Sequence, residues 1–192
     1  MSLYAWALAP FRMSEKREAA RLSGDLIAIA LMAMGLAAGS AAQGAPQATT
    51  SVTVTGNVAD SLSLAVTDLK RYPARQIEYA LRNSADDKVA APMRRYTGVL
   101  LRDVLASAKP TESKPRQLRR SYVVATASDG YEVVFSWAEL FVSPVGESVF
   151  VVYERDGVPL GDDEGSIALI ATTDIRPVRH VKWLQRLTLR GE

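Results

Sequence analysis

The chain has 192 residues, 48% of them hydrophobic and 23% charged, with no cysteine and a single histidine, His180. The apolar fraction excludes a disordered polymer. The missing cysteine excludes disulfides, thiolate metal sites, iron–sulfur clusters and cysteine nucleophiles, and one histidine allows no His-rich metal cage.

The first 42 residues differ from the rest. From Met13, an alternative start, Lys16, Arg17 and Arg21 form a positive region. An uncharged apolar run from Leu26 to Ala38 follows, then Ser40-Ala41-Ala42, a small-x-small cleavage site. That order predicts a secretory signal peptide over 1–42 and a periplasmic location. The run is shorter than the roughly 20 residues a helix needs to cross a bilayer, so no membrane insertion is expected after cleavage. The leader takes with it four basic and three acidic residues, leaving a domain within one charge of neutrality. Such a balance gives no global electrostatic reason to bind nucleic acid.

Residues 43–50 read as a linker and 51–192 as one domain. Ser51 to Val58 alternates β-branched and small residues, which predicts a strand, and Leu62 and Leu64 continue extended. Thr67 is placed as the cap of a helical turn that Pro73 stops. Arg75 to Leu81 alternates again, and 82–91 is polar and reads as a loop. Tyr96-Thr97-Gly98 is read as a turn opening a helix in which Leu101, Val104, Leu105 and Ala108 share one face. Residues 109–120 are polar and basic and read as an exposed loop. Strands are expected over Tyr122–Ala127 and Tyr131–Phe135, around the turn Ser128-Asp129-Gly130. Ser136 caps a short helix. Val149–Tyr153, Ile167–Ile170 and Trp183–Leu189 complete the strands, with a turn at Arg155-Asp156-Gly157. The expected class is α+β, a β-rich single domain with short helices.

Most site chemistries find no support. No Gly-x-Ser-x-Gly elbow accompanies His180, and there is no Walker A or GxGxxG loop. Asp162-Asp163-Glu164 lacks the spacing of a dedicated Ca²⁺ loop and reads as a solvated turn. Two segments carry more information. In Arg94–Leu105, two arginines and an aromatic residue precede a helix, which suits an anion or a planar heterocycle. In Ile175–Trp183, Arg176, Arg179, His180 and Lys182 precede an indole. A solvated cationic face is the alternative for each.

At these segments the sequence resembles the oxidoreductase molybdopterin-binding domain, the sulfite-oxidase fold. YTGVLLRDVL, SDGYEVVFSWAEL, YERDGVPLGDDEGSIALI and VRHVKWLQRLTL are similar, in order, to four segments of that family, between about Val52 and Leu189. In catalytic members a cysteine ahead of the first segment ligates molybdenum. The corresponding stretch here is Tyr79-Ala80-Leu81-Arg82-Asn83-Ser84, and His180 replaces a serine in the last segment. At this length the immunoglobulin-like dimerisation domain of full sulfite oxidases is not expected.

The resemblance to short, exported, cysteine-less members implies a pterin or molybdopterin-like ligand without molybdenum, and no metal-binding residues. It implies a non-catalytic role in which pterin occupancy regulates a membrane-bound partner, such as a cyclic-di-GMP signalling enzyme. A molybdopterin-dependent oxidoreductase with an unusual ligand set, and an interaction protein with a vestigial pocket, are the alternatives. The expected ligand-binding residues are Arg94, Arg95, Tyr96, Asp129, Arg179, His180, Lys182 and Trp183. Trp183 or Tyr96 would give a stacking face, Arg94, Arg95, Arg179 and Lys182 would meet carbonyl or anionic edges, Asp129 would accept from ring N–H groups, and His180 would orient the ligand. Trp183 as a core residue of the last strand, and Asp129 as a turn-closing residue, remain open. Of Arg94 and Arg95, alternation points only one inward.

Overall fold

The computed structural model describes residues 49–80, 92–112 and 114–191. The signal-peptide assignment, most of the linker and the 82–91 loop lie outside these residues. Among the described residues, ten strands form two sheets: β1 (Ser51–Gly56), β2 (Leu62–Ala65), β3 (Arg75–Ala80), β4 (Met93–Leu100), β5 (Tyr122–Ala127), β6 (Glu132–Ser136), β7 (Val149–Arg155), β8 (Val158–Pro159), β9 (Ala168–Ala171) and β10 (Leu184–Arg190). Four short helices connect them: α1 (Val66–Leu69), α2 (Leu101–Ser107), α3 (Pro115–Leu118) and α4 (Trp137–Phe141). The α+β, strand-rich expectation holds.

The first sheet runs β2-β1-β10-β5-β6, with β1 and β10 parallel and the other pairs antiparallel. The second runs β3-β4-β7-β8, and β9 takes the edge of β7 that β8 leaves free. Alternation along β7 sends Val149, Val151 and Tyr153 into the main core, together with Val52, Val54, Leu187 and Leu189 of the first sheet. Phe150 and Val152 point the other way, into a second cluster with Tyr79, Tyr96, Leu160 and Ile170. The second sheet is therefore buried on both faces, and its outer cluster forms the floor of the region described below.

Three local expectations are corrected. Tyr96-Thr97-Gly98 does not turn into a helix. It is part of β4, with a register shift between Thr97 and Gly98 where it meets β7, and the helix starts at Leu101. Gly98 is there because β7 comes too close for a side chain: a Cβ would lie 2.4 Å from the Val151 carbonyl oxygen. Thr67 caps nothing; α1 starts after Ala65, whose N–H donates to the Asp68 carboxylate. The basic 109–120 loop contains α3. Ser136 caps α4 as expected, in a reciprocal box in which its Oγ accepts from the Glu139 N–H.

Candidate functional site

The region is built from four pieces of chain over the outer cluster of the second sheet: the end of β3, the end of β7 with the 161–165 turn, the 172–179 segment, and 180–183 leading into β10. Its centre is Glu164. Asp162-Asp163-Glu164 reads as a solvated turn in the sequence, but Glu164 is 0% exposed. Its Oε1 accepts from the Tyr96 hydroxyl at 3.0 Å and from Arg155 Nη1 at 3.0 Å. The same guanidinium forks onto Asp163 at 2.9 and 3.2 Å. Those hydrogen bonds hold the Asp163 carboxyl below the usual range. Burial, then the Glu164 charge, holds the Tyr96 phenol protonated well above its ordinary range.

This turn grips Trp183. The Trp183 N–H donates to the Glu164 carbonyl at 2.7 Å, its indole Nε1 donates to the Asp162 carbonyl at 3.0 Å, and its own carbonyl accepts from the Ser128 N–H at 3.0 Å. Gly165 lies beneath the ring, where a Cβ would come within 2.6 Å of the indole. Trp183 takes a φ of 48°, a region that a bulky residue enters only when its surroundings impose it. It therefore precedes β10 rather than belonging to it, and it is half-buried. Lys182 Nζ stands 5.9 Å from its ring centroid.

His180 is the other unusual group. It is buried, and neither ring nitrogen has a hydrogen-bond partner among the described residues. The edge of the Tyr79 ring meets it at 6.4 Å. Burial first, then the positive charges of Lys182 and Arg155, push its pKa down to about 4. A neutral imidazole with two unmatched nitrogens beside two cations is a polar group held ready for a partner. Glu164 Oε2 is buried and unmatched in the same way.

Among the described residues, Tyr79, Ala80, Thr172, Asp174, Ile175 and Pro177 line a cleft of about 330 Å³. Arg179 closes the back of that segment. Its Nε and Nη2 engage Asp174 at 2.8 and 2.5 Å, its Nη1 reaches Glu139 at 3.3 Å, and the guanidinium lies over the Phe135 ring.

The eight expected site residues are thus placed unequally. His180, Lys182 and Trp183 come together, and Arg179 is near them in a structural ion pair. Tyr96 is fully buried, so its ring offers no stacking face; its hydroxyl serves Glu164 instead. Arg94 lies across from Tyr79 in the β3–β4 ladder but is exposed and paired with Asp156 at 3.0 Å. Arg95 is exposed, and its backbone is held at both ends by Asp156: its N–H donates to the Asp156 carboxylate and its carbonyl accepts from the Asp156 N–H. By register Arg94 shares the face of Tyr79 and Tyr96 and Arg95 takes the opposite one, and both are exposed. The exposed Asp129 carboxylate closes its own turn by accepting from the Tyr131 N–H, one residue from the Ser128 contact with Trp183. The sequence reading missed Glu164, Arg155, Tyr79 and Asp174. A lone Arg155 or Glu164 looks like turn chemistry, and nothing local in the sequence shows that the two meet in the interior.

The model of the oxidoreductase molybdopterin-binding domain family matches residues 40–192. The chain belongs to that family. Rat (Rattus norvegicus) mitochondrial sulfite oxidase is 28% identical over 150 residues, a match that covers 69% of this chain and 27% of that protein. The sulfane dehydrogenase SoxCD of Paracoccus pantotrophus shares the fold, with a TM-score of 0.58 at 18% identity over 73% of this chain and 38% of the other. The chain spans well under two thirds of the length of either relative.

In this molybdopterin-binding domain the donor set suits the organic part of such a ligand better than the metal. The sequence contains no thiol, and the described residues hold no cluster of three metal-ligating side chains. Leu81 to Ser84, where catalytic members would carry the cysteine, lie outside the described residues. The unmatched His180 nitrogens beside Lys182, and the cleft beyond Tyr79, fit a heterocycle with hydrogen-bonding edges.

Proposed function

We propose that this domain is an exported, non-catalytic pterin-binding module whose occupancy is read by a membrane-bound partner, such as an enzyme that makes or breaks cyclic di-GMP. The observation that carries it is a molybdopterin-binding domain whose whole sequence contains no cysteine and so offers no thiolate donor. Oxygen and nitrogen ligands do not reproduce the soft donation of a thiolate to molybdenum. A pterin needs only a flat face and a few convergent polar groups. Tyr79, the half-buried Trp183, Lys182 and the unpartnered His180 are of those kinds. The leader-like first 42 residues support export to a periplasm, and among the described residues no helix is long and apolar enough to cross a membrane.

The second reading, a molybdopterin oxidoreductase with oxygen or nitrogen ligands, draws on the redox names of both relatives. One experiment separates the two. Protein purified from its native host is denatured, the released small molecules are identified by mass spectrometry, and molybdenum is measured on the same sample. The expected result is a pterin with far less than one molybdenum per chain. About one molybdenum per chain overturns the non-catalytic reading; release of no pterin overturns pterin binding. Co-purification of a membrane cyclic-di-GMP enzyme with the tagged chain, lost when the pterin is stripped, tests the partner. A pterin-independent complex, or none, removes the sensing role.

A further inference from the structure

β10 starts beside Trp183 and ends at Arg190, so Arg190 lies a strand's length from the region described above. The chain around that far end is basic. α3 packs Leu118 against the main core, while Lys114, Arg116 and Arg119 around it are exposed. The Ser121 N–H donates to the Leu118 carbonyl at 2.9 Å, and the Ser121 carbonyl accepts from the Trp137 N–H, which ties this turn to the first sheet. Tyr122 follows as the first residue of β5 and pairs with Arg190. Alternation sends Val123 and Leu189 into the core, so Tyr122 and Arg190 share the outer face. Val134 sits on that face too, diagonal to Tyr122 in the β5–β6 ladder. Tyr122 is 38% exposed and Val134 54%.

The charges of the chain nearly balance, at a formal net of +2, so this end is a local concentration. Among the described residues Lys114, Arg116, Arg119 and Arg190 make no ion pair, whereas the neighbouring Lys109 is closed onto Asp60 at 2.8 Å. Two acids of the same stretch are engaged locally: Glu112 accepts from the Lys114 backbone N–H at 2.7 Å, and Glu132 from the Thr126 hydroxyl at 2.9 Å. An exposed tyrosine and valine rimmed by unpaired cations have the composition of a protein contact. Three of the four cations are arginines, whose planar fork takes a carboxylate at two points. A bilayer calls instead for apolar side chains that reach past the headgroups beside the charges, and the leucine of α3 is spent on the core.

We propose that this end is a docking surface for an acidic segment of a protein partner, with Arg116, Arg119 and Arg190 receiving its carboxylates around Tyr122 and Val134. It rests on the reading above for the existence of a protein partner and not for the pterin, and it puts the contact at the far end of β10 from Trp183.

The full chain is titrated with a short dye-labelled peptide of alternating glutamate and serine, with its glutamine counterpart, and with vesicles of phosphatidylcholine containing phosphatidylglycerol. The expected result is the glutamate peptide bound about tenfold or more tighter than the glutamine one, with the difference shrinking as salt is added. Arg116→Glu with Arg119→Glu lowers that affinity about tenfold, and Arg190→Gln, on another element, lowers it about threefold. Arg71→Glu with Arg75→Glu, the same change of net charge on the exposed stretch between α1 and β3, leaves it within about twofold. Equal losses in the two double variants mean diffuse attraction and overturn the assignment, as does equal binding of the two peptides. Vesicle binding without peptide binding makes the occupant a membrane and overturns the protein partner. Binding of neither probe overturns the surface. Each of these failures leaves pterin binding standing, because that is read from the released small molecules. The comparison of the two peptides uses unmodified protein, so the proposal stays testable even where a variant fails to fold.

Discussion

His180 is neutral in the fold because protonating it would put a cation with no acceptor beside Lys182 and Arg155. Its pKa is about 4 in the folded chain against 6.5 for an ordinary histidine. Between those values the unfolded chain binds the extra proton, so its contribution to stability is full above about pH 6.5 and falls as the pH drops. The loss by pH 4 is about 3 kcal/mol. Urea unfolding of the parent and of His180→Gln across that window measures it: the parent shows the slope, the variant lacks it. Glu164 makes the complementary case. Glu164→Ala leaves the Tyr96 hydroxyl buried without an acceptor and takes from Arg155 its buried acceptor, leaving only the fork on Asp163, at a cost of about 3 kcal/mol. Tyr96→Phe keeps the Arg155–Glu164 pair and costs about 1–2 kcal/mol. Denaturation midpoints showing Tyr96→Phe to be the more damaging change would mean that the cluster is not organised around the carboxylate.

At the scale of elements, the β4–β7 seam governs how the region is held. Tyr96 is directed to the outer cluster, and the register shift that follows it fits the two strands together where Gly98 passes β7. Adding a methyl group at Gly98 presses on the backbone of Val151 and Val152 rather than on a movable side chain. Gly98→Ala is therefore expected to cost about 2–3 kcal/mol and lower Tm by about 5–10 °C. A Tm within a degree of the parent, by differential scanning calorimetry, would show that the seam has slack. The same seam explains a misreading. Thr-Gly ahead of a helical pattern looks like a turn, because the approach of a distant strand leaves no mark in the neighbouring residues. Where the signal is local, as in the Ser136–Glu139 cap or the turns at Gly130 and Gly157, sequence and structure coincide.

For the molecule as a whole, the strands, the class and the family were readable because alternation, turn residues and four ordered motifs act at short range. The site was only half readable. His180, Lys182 and Trp183 are close in sequence and stay close in space. Tyr96, Arg155 and Glu164 meet only after β4, β7 and the 161–165 turn have been assembled, so Tyr96 was expected at a ligand face and is found holding a buried carboxylate. Asp174 was invisible for the same reason, since its role depends on an arginine fixed by a third element.

The parallel pairing of β1 with β10 has one more consequence. The last strand of the domain lies in the middle of the first sheet, between β1 and β5. Until Leu184–Arg190 arrives, the β1–β2 ribbon and the β5–β6 hairpin have no common neighbour, and the Val52 and Val54 side of the core stays open. The segment that begins with His180 and Trp183 is thus also the keystone of assembly: a chain cut short before it does not merely lose a binding surface, it never acquires a finished interior.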